Sequence, residues 1–338
     1  MSRKSASILA QHKTRLRFNV ESLFLLSKMS GLWNDREIEE IIVELKKKRR
    51  IQAASSKKDT NLCAPRFIFV CGKSLECQED TVRKTTINKL KSHLTIGEYN
   101  NKTNNVLCVI SERLYIQDYS DDIFSFEKML AEISQRIILP AESAGTYCEL
   151  GAFVMDEDCR SKIIVINEFK EEYRNSFITR GPIKLLDEKN SDNVIYYSGK
   201  VDENAEYTDS IERIANEDLR IPINEDKANV SLRSLIYELA NIVELFQPLT
   251  PYEIELLYKK IKEFDSYTIK SETKIKNIKK VIQFMEDMEL IKNDGTNNYS
   301  LIDGISCYNV LFTLKRKDFL DLRVRYLNRL SKYRSTGA

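Results

Sequence analysis

Histidine is nearly absent from this 338-residue chain: only His12 and His93 occur. No Cys-x-x-Cys pair is present, so zinc-ligand spacing is missing. A Ser–His or Cys–His nucleophile has little to draw on, and acid–base or nucleophilic work falls to carboxylates. No apolar run approaches the roughly 18 residues of a membrane span. The basic start, "MSRKSASILAQHKTRLRF", has no apolar stretch with a cleavage site and does not read as a secretory signal. Seven irregularly spaced cysteines, an odd number, point to reduced thiols and a cytoplasmic protein without membrane contact. There is no internal repeat and no long low-complexity tract.

What is present is charge, unevenly placed. The net charge of +2 combines +7 over residues 1–60, −10 over 61–249 and +5 over 250–338. The basic ends suit a polyanion and the acidic centre does not. The run "KKKRR" (46–50) is either a solvated helix end or a nucleic-acid contact, and Trp33 reads as core.

Apolar spacing predicts helices over 18–50, followed by a polar linker, "IQAASSKKDTN". Four short β-branched or aromatic runs follow: "RFIFVCG" (66–72), "NVLCVI" (105–110), "RIILP" (136–140) and "KIIVIN" (162–167). "NVIYYS" (193–198) offers a fifth. Helical patterns lie between them, at 76–94 and at 122–134, where Ile123, Phe126, Leu130 and Ile133 share a face. Alternating strands and helices predict an α/β domain with a Rossmann-like parallel sheet. After residue 205 the pattern is helical, with a Thr250-Pro251 helix start and a hairpin around Asp294-Gly295, the order of a winged helix. A basic helix over 316–334 closes the chain. The expected division is a basic helical segment (1–62), an α/β catalytic domain (63–204) and a helical, winged-helix domain (205–338).

Ligands of parallel sheets bind beyond the strands' carboxyl ends. "VCGKS", "SER" and "PAESAGTYCELGAF" follow the first three runs. "CGKS" is not a Walker A loop, because Phe67 stands where its first glycine belongs. Gly72 still allows close backbone approach, Lys73 can reach a phosphate, and Glu112 is a further binding candidate. In "PAESAGTYCELGAF", Gly145 is expected to ease a sharp turn and Ser143 or Thr146 to cap a helix. Glu149 is expected near that helix's first turn, kept ionised by the dipole. Such a carboxylate can attack an anomeric carbon or stabilise an oxocarbenium ion. It can equally be a helix-start decoration.

Three stretches resemble the nucleoside-deoxyribosyltransferase-like toxins that serve as effectors of bacterial retrons: "RFIFVCG", "FEKMLAEISQRIILPAESAGTYCELGAF" and "RSKIIVINEFKEEYRNSFITRGPIKLL". The resemblance covers roughly residues 66–186, and the hairpin "NDGTNNYSLID" is similar to the family's winged-helix end. It implies an N-glycosidase in which Glu149 is the nucleophile and Glu142 binds ribose hydroxyls or assists the leaving group. Gly72 would close over the nucleotide, and Arg180 or Gly181 would line the pocket. Classical transferases carry aspartate where this chain has Ser143, which favours hydrolysis over base exchange. The implied substrate is NAD, releasing nicotinamide, or a related nucleotide, with no cofactor and no metal. The implied partners are a retron reverse transcriptase and its branched RNA–DNA product (msDNA); a homo-oligomer or higher assembly stays open. The competing reading is a non-catalytic nucleotide sensor whose winged helix binds DNA.

Overall fold

The computed structural model describes residues 32–335 apart from 56, 58–61, 93, 97–101, 105, 116–118 and 227–228. The helix expected around Val20–Leu26, and both histidines, lie outside the described residues. The chain divides into two compact units, residues 1–49 with 314–338, and residues 50–313. The boundaries expected at 62 and 204 both fall inside the second unit.

Ten of the α-helices among the described residues are α1 (Arg36–Lys47), α2 (Val82–Ser92), α3 (Ser111–Tyr115), α4 (Ile123–Ile133), α5 (Ala144–Met155), α6 (Ala205–Ala215), α7 (Leu232–Phe246), α8 (Pro251–Lys262), α9 (Ile278–Asp287) and α10 (Arg316–Ser335). Five strands, β1 (Arg66–Val70), β2 (Val106–Val109), β3 (Arg136–Pro140), β4 (Ile163–Glu168) and β5 (Val194–Tyr197), form one parallel sheet. Its order is β2-β1-β3-β4-β5. The strand order reverses between β1 and β3, which is where doubly wound sheets open a crevice for ligands.

Every residue of β1 is buried, and its period-2 alternation feeds two cores. Ile68 and Val70 pack with Ile87 and Leu90 of α2 and Tyr207, Ile211 and Ile214 of α6. Phe67 faces the other way and stacks on Tyr237 of α7 at 4.5 Å, while Phe69 meets Phe153 of α5 edge-on at 6.2 Å. A strand covered on both faces can carry a continuous apolar run, which explains "RFIFV".

Local chemistry ends the elements where the sequence suggests. Thr250 and Glu253 form a capping box at α8, behind Pro251. Asp122 accepts from the Ser125 N–H at α4. A two-stranded hairpin, β6 (Ile291–Asn293) with β7 (Tyr299–Leu301), follows α9, and Gly295 supplies its φ of +83°.

Three expectations change. The linker contains a short strand, Ala54–Ser55, paired with Arg220–Ile221 and carrying a buried Ala54. The helix expected from residue 76 begins at Val82, because residues 72–81 make the loop that carries the chain from β1 into α2. Ile123 is 46% exposed while Phe126, Leu130 and Ile133 are buried, since the first turn of α4 extends past the core.

In the first unit, α10 buries Phe319, Leu322, Tyr326 and Leu330. Trp33 is core, as its composition suggests, and stacks on Tyr326 at 6.0 Å. Glu44 pairs with Arg325 at 3.2 Å, and Asp35 with Arg329. Lys46 and Lys47 end α1, where cations complement the helix dipole. The seven cysteines are free thiols. Among the described residues no helix is long and apolar enough to cross a membrane.

The second unit contains a buried ion pair. Glu238 of α7 is fully buried and accepts from Lys262 Nζ (3.0 Å), Tyr258 OH (2.9 Å) and the Asn224 N–H (3.1 Å). Burial pushes the Glu238 carboxyl up, against the pull of Lys262. Lys262→Met is expected to lose about 3–5 kcal/mol at neutral pH in urea unfolding, because it strands a buried charge. A raised Glu238 takes up a proton on folding, so the loss should shrink as pH falls.

Candidate functional site

The site assembles at the carboxyl ends of β1, β2 and β3, around a side chain that the sequence did not single out. Arg83, in the first turn of α2, is 1% exposed. Its Nε and Nη2 donate to the Val70 carbonyl (3.0 and 2.8 Å), and Nη1 donates to the Lys73 carbonyl (3.2 Å). The outer edge of the guanidinium grips Glu112 of α3 in bidentate fashion, Nη2 to Oε2 at 2.8 Å and Nη1 to Oε1. Ser111 Oγ donates to the same carboxylate at 3.3 Å. Burial pushes Glu112 up, but Arg83 outweighs it and holds the carboxyl below its usual range.

Gly72 makes this packing possible. Its φ is +137°, and a Cβ there would lie 2.7–2.9 Å from the Arg83 side-chain carbons. Only glycine combines that backbone with that clearance.

Glu142 anchors the other side of the loop. Its carboxylate accepts from the Val82 N–H at 2.9 Å and from the Arg83 and Lys73 N–H groups at 3.3 Å each. It therefore satisfies amides at the start of α2 from sixty residues away in sequence. These contacts make Glu142 a loop anchor, a role that stands beside the ribose or leaving-group contact the resemblance implies for it. Lys73 points its ammonium at Glu79, 2.5 Å away, instead of presenting it unpaired to a phosphate.

Ser143 and Thr146 form a reciprocal cap on α5: Ser143 Oγ accepts the Thr146 N–H at 3.3 Å and the Ser143 N–H donates to Thr146 Oγ1 at 3.0 Å. Gly145 is inside the first turn of α5, with no positive φ, and a Cβ on it would meet only Ser143 Oγ at 3.8 Å. The turn needs no glycine freedom there, because the cap alone sets the helix entry.

Glu149 is in the second turn of α5, not the first. The dipole's hold has faded at that depth. Burial pushes its carboxyl up, opposed by the Arg83 charge and by a hydrogen bond from the Cys71 thiol. Burial likewise holds the Cys71 thiol well above its ordinary range, so it remains a donor. Glu149 Oε2 is buried and has no hydrogen-bond partner. Arg83 thus replaces the helix end as the charge that favours an ionised Glu149.

A second missed residue is Glu127 of α4. It is 9% exposed, and burial followed by the Glu149 charge pushes it up to about 7. Its only sequence signal was a charge on the apolar face of an amphipathic helix.

Arg180 and Gly181 follow β4 in the chain. They line a groove of about 480 Å³ with Gly151, Val154, Met155 and Phe177. At 100° per residue, positions 151, 154 and 155 lie on the side of α5 opposite Glu149. The structure therefore joins Gly72, Glu112, Glu142, Ser143, Thr146 and Glu149 into one neighbourhood, while Arg180 and Gly181 line a groove on another face of α5.

Two Escherichia coli proteins are similar to this chain. One belongs to retron Ec86 and is 40% identical over 90 residues, 24% of this chain and 29% of the relative. The other belongs to retron Ec73 and is 28% identical over 155 residues, 44% of this chain and 45% of the relative. Both carry the provisional name ribosyltransferase/DNA-binding protein. The chain spans less than half the length of either relative. Residues 79–293, well over half of the chain, match the family described as STM3845 retron effector protein. The protein belongs to that retron effector family.

Proposed function

We propose that this retron effector is an N-glycosidase that hydrolyses the glycosidic bond of NAD or a related nucleotide. Glu149 attacks the anomeric carbon, or stabilises positive charge there, as the C1′–N bond breaks with its electron pair going to the base. Water then supplies the oxygen that completes hydrolysis. The observation that carries this reading is the Glu149 carboxyl at the β1/β3 reversal, with a buried oxygen that no protein donor uses. The provisional name ribosyltransferase given to the two relatives supports chemistry at the same bond. Local charge supports the substrate: Glu112, Glu127, Glu142 and Glu149 surround one buried arginine, a setting that favours a cationic pyridinium ribosyl group. Nicotinamide leaves that group as a neutral base and needs no proton donor.

Membership in the retron family supports a toxin in antiphage defence, held inactive by a reverse transcriptase and its RNA–DNA product. The basic segments at 1–60 and 250–338 suit such a polyanion. A sensor without catalysis is the second reading. It is favoured by the hairpin that follows α9 and by the DNA-binding part of the relatives' names.

Incubating the purified protein with NAD and a nucleoside panel, then separating bases by chromatography, tests both readings. Wild type is expected to release nicotinamide, and Glu149→Gln to lower release on the order of a thousandfold or more while still folding. Undiminished release by that variant removes Glu149 from the chemistry. No base from wild type, with tight binding to duplex DNA, selects the sensor. In the same assay Gly72→Ala should reduce release at least about tenfold and lower stability by about 1–3 kcal/mol in thermal unfolding, by straining the loop and displacing Arg83.

A further inference from the structure

The reaction proposed above leaves one cavity of the second unit without a task. It is the groove of about 480 Å³ on the side of α5 turned away from Glu149. Its other wall is the segment that follows β4, which Ser176 sets in place. Ser176 Oγ accepts the Thr179 N–H at 3.3 Å and donates to Thr179 Oγ1 at 3.1 Å, and the Ser176 carbonyl accepts the Arg180 N–H at 3.0 Å. The chain then widens into a π-helical turn, Thr179–Ile183, in which Pro182 has no N–H to give to an α-helical ladder. Such turns are frequent at functional sites.

Phe177 and Met155 line this groove while 87% and 76% exposed, and Leu185 is exposed beside them. Single exposed apolar side chains are ordinary, but several around one hollow mark a binding surface. A Cβ on Gly181 would meet the Phe177 ring at 3.7–3.8 Å, so this glycine seats the ring. A Cβ on Gly151 would meet nothing within 4 Å, so the α5 wall is open. Arg180 lines the same groove, and among the described residues its guanidinium has no hydrogen-bond or ion-pair partner. Lys184 is committed to Glu188, 3.4 Å away. The groove therefore offers one uncommitted cation beside an aromatic ring and apolar walls. Its one acid is the partner of Lys184, so the set binds and does not react.

Size and charge select the occupant. A volume of this order suits a small molecule. The net −10 of residues 61–249 disfavours a polyanionic strand, while a single anionic group needs only Arg180. We propose that the groove is a binding site for a small aromatic anion of the nucleoside monophosphate class: the base stacks on Phe177, the phosphate pairs with Arg180, and the space at Gly151 admits the sugar. This site stands apart from Glu149 and does not rest on the N-glycosidase reading.

Methionine methyl ¹³C NMR of the full chain reads the groove through Met155, whose signal is assigned with Met155→Leu. Adding AMP is expected to shift that signal saturably. Adenosine should bind at least about tenfold more weakly, because it lacks the group that Arg180 holds. Phe177→Ala and Arg180→Gln should each weaken AMP about tenfold or more, and Gly151→Leu, which fills the groove, should abolish the shift. These changes fall at exposed or open positions, so the far-UV circular dichroism of each variant is expected to match wild type. A Met155 signal that AMP does not move would overturn the proposal. So would a shift that survives in all three variants, since it would then arise at another site. Tighter binding by a single-stranded oligonucleotide than by AMP would overturn the choice of a small ligand. The measurement needs no turnover, so failure of the N-glycosidase reading leaves it intact.

Discussion

A guanidinium buried at the point where the sheet reverses order governs the geometry around it. Taking a charge out of water costs several kcal/mol unless its hydrogen bonds are replaced. Arg83 replaces them with the carbonyls of Val70 and Lys73 and both oxygens of Glu112. Each replacement fixes a different piece of chain: the end of β1, the loop beyond it, and the start of α3. The planar fork of arginine matches that set, and the point charge of a lysine would not. Gly72 follows from the same requirement, since the arginine stem occupies the space where a Cβ would stand.

Glu142 and Arg83 then act as opposite ends of one clamp. Glu142 holds the amides of the loop and of the first turn of α2, while Arg83 holds the loop's carbonyls. Loops without such ties open readily. This one is held from both sides, so Cys71 is kept in place against Glu149. The clamp consumes Glu142 and Glu112, which leaves Glu149 as the carboxylate with an uncommitted oxygen.

The frame of this arrangement was legible in the sequence, and its centre was not. Five β-branched runs marked the five strands, and Ser143, Thr250 and Asp294-Gly295 marked two helix starts and a hairpin. Those signals are local. Arg83 carried no such signal, because an arginine among lysines on a mostly polar helix reads as a solvated face. Its burial depends on a glycine eleven positions earlier and a glutamate twenty-nine later. Glu142 is the same case in reverse: its partners are sixty residues upstream, so composition marked it as important without saying for what. The helix expected from residue 76 was overextended, because the polar loop residues before Val82 fit a helix as well as a loop.

α7 shows why periodicity cannot separate such cases. It is buried nearly all round, yet contains Glu238, Asn241 and Glu244. Each acid finds a distant partner, and so does the amide oxygen between them: Glu238 meets Lys262, Asn241 Oδ1 accepts from the Leu311 N–H, and Glu244 accepts from Ser306 and the Cys307 N–H, while Asn241 Nδ2 is buried without one. A buried polar atom is tolerable when such a partner exists. Glu149 Oε2 is buried with none, and it lies where the sheet's strand order reverses. In α7 the burial of charge is balanced by contacts within the protein, and the more open carboxylates of Glu112 and Glu142 are likewise paired within it. Among the described residues Glu149 Oε2 is the one carboxylate oxygen buried without a partner, and the reaction proposed for it would supply that partner as the substrate's developing positive charge.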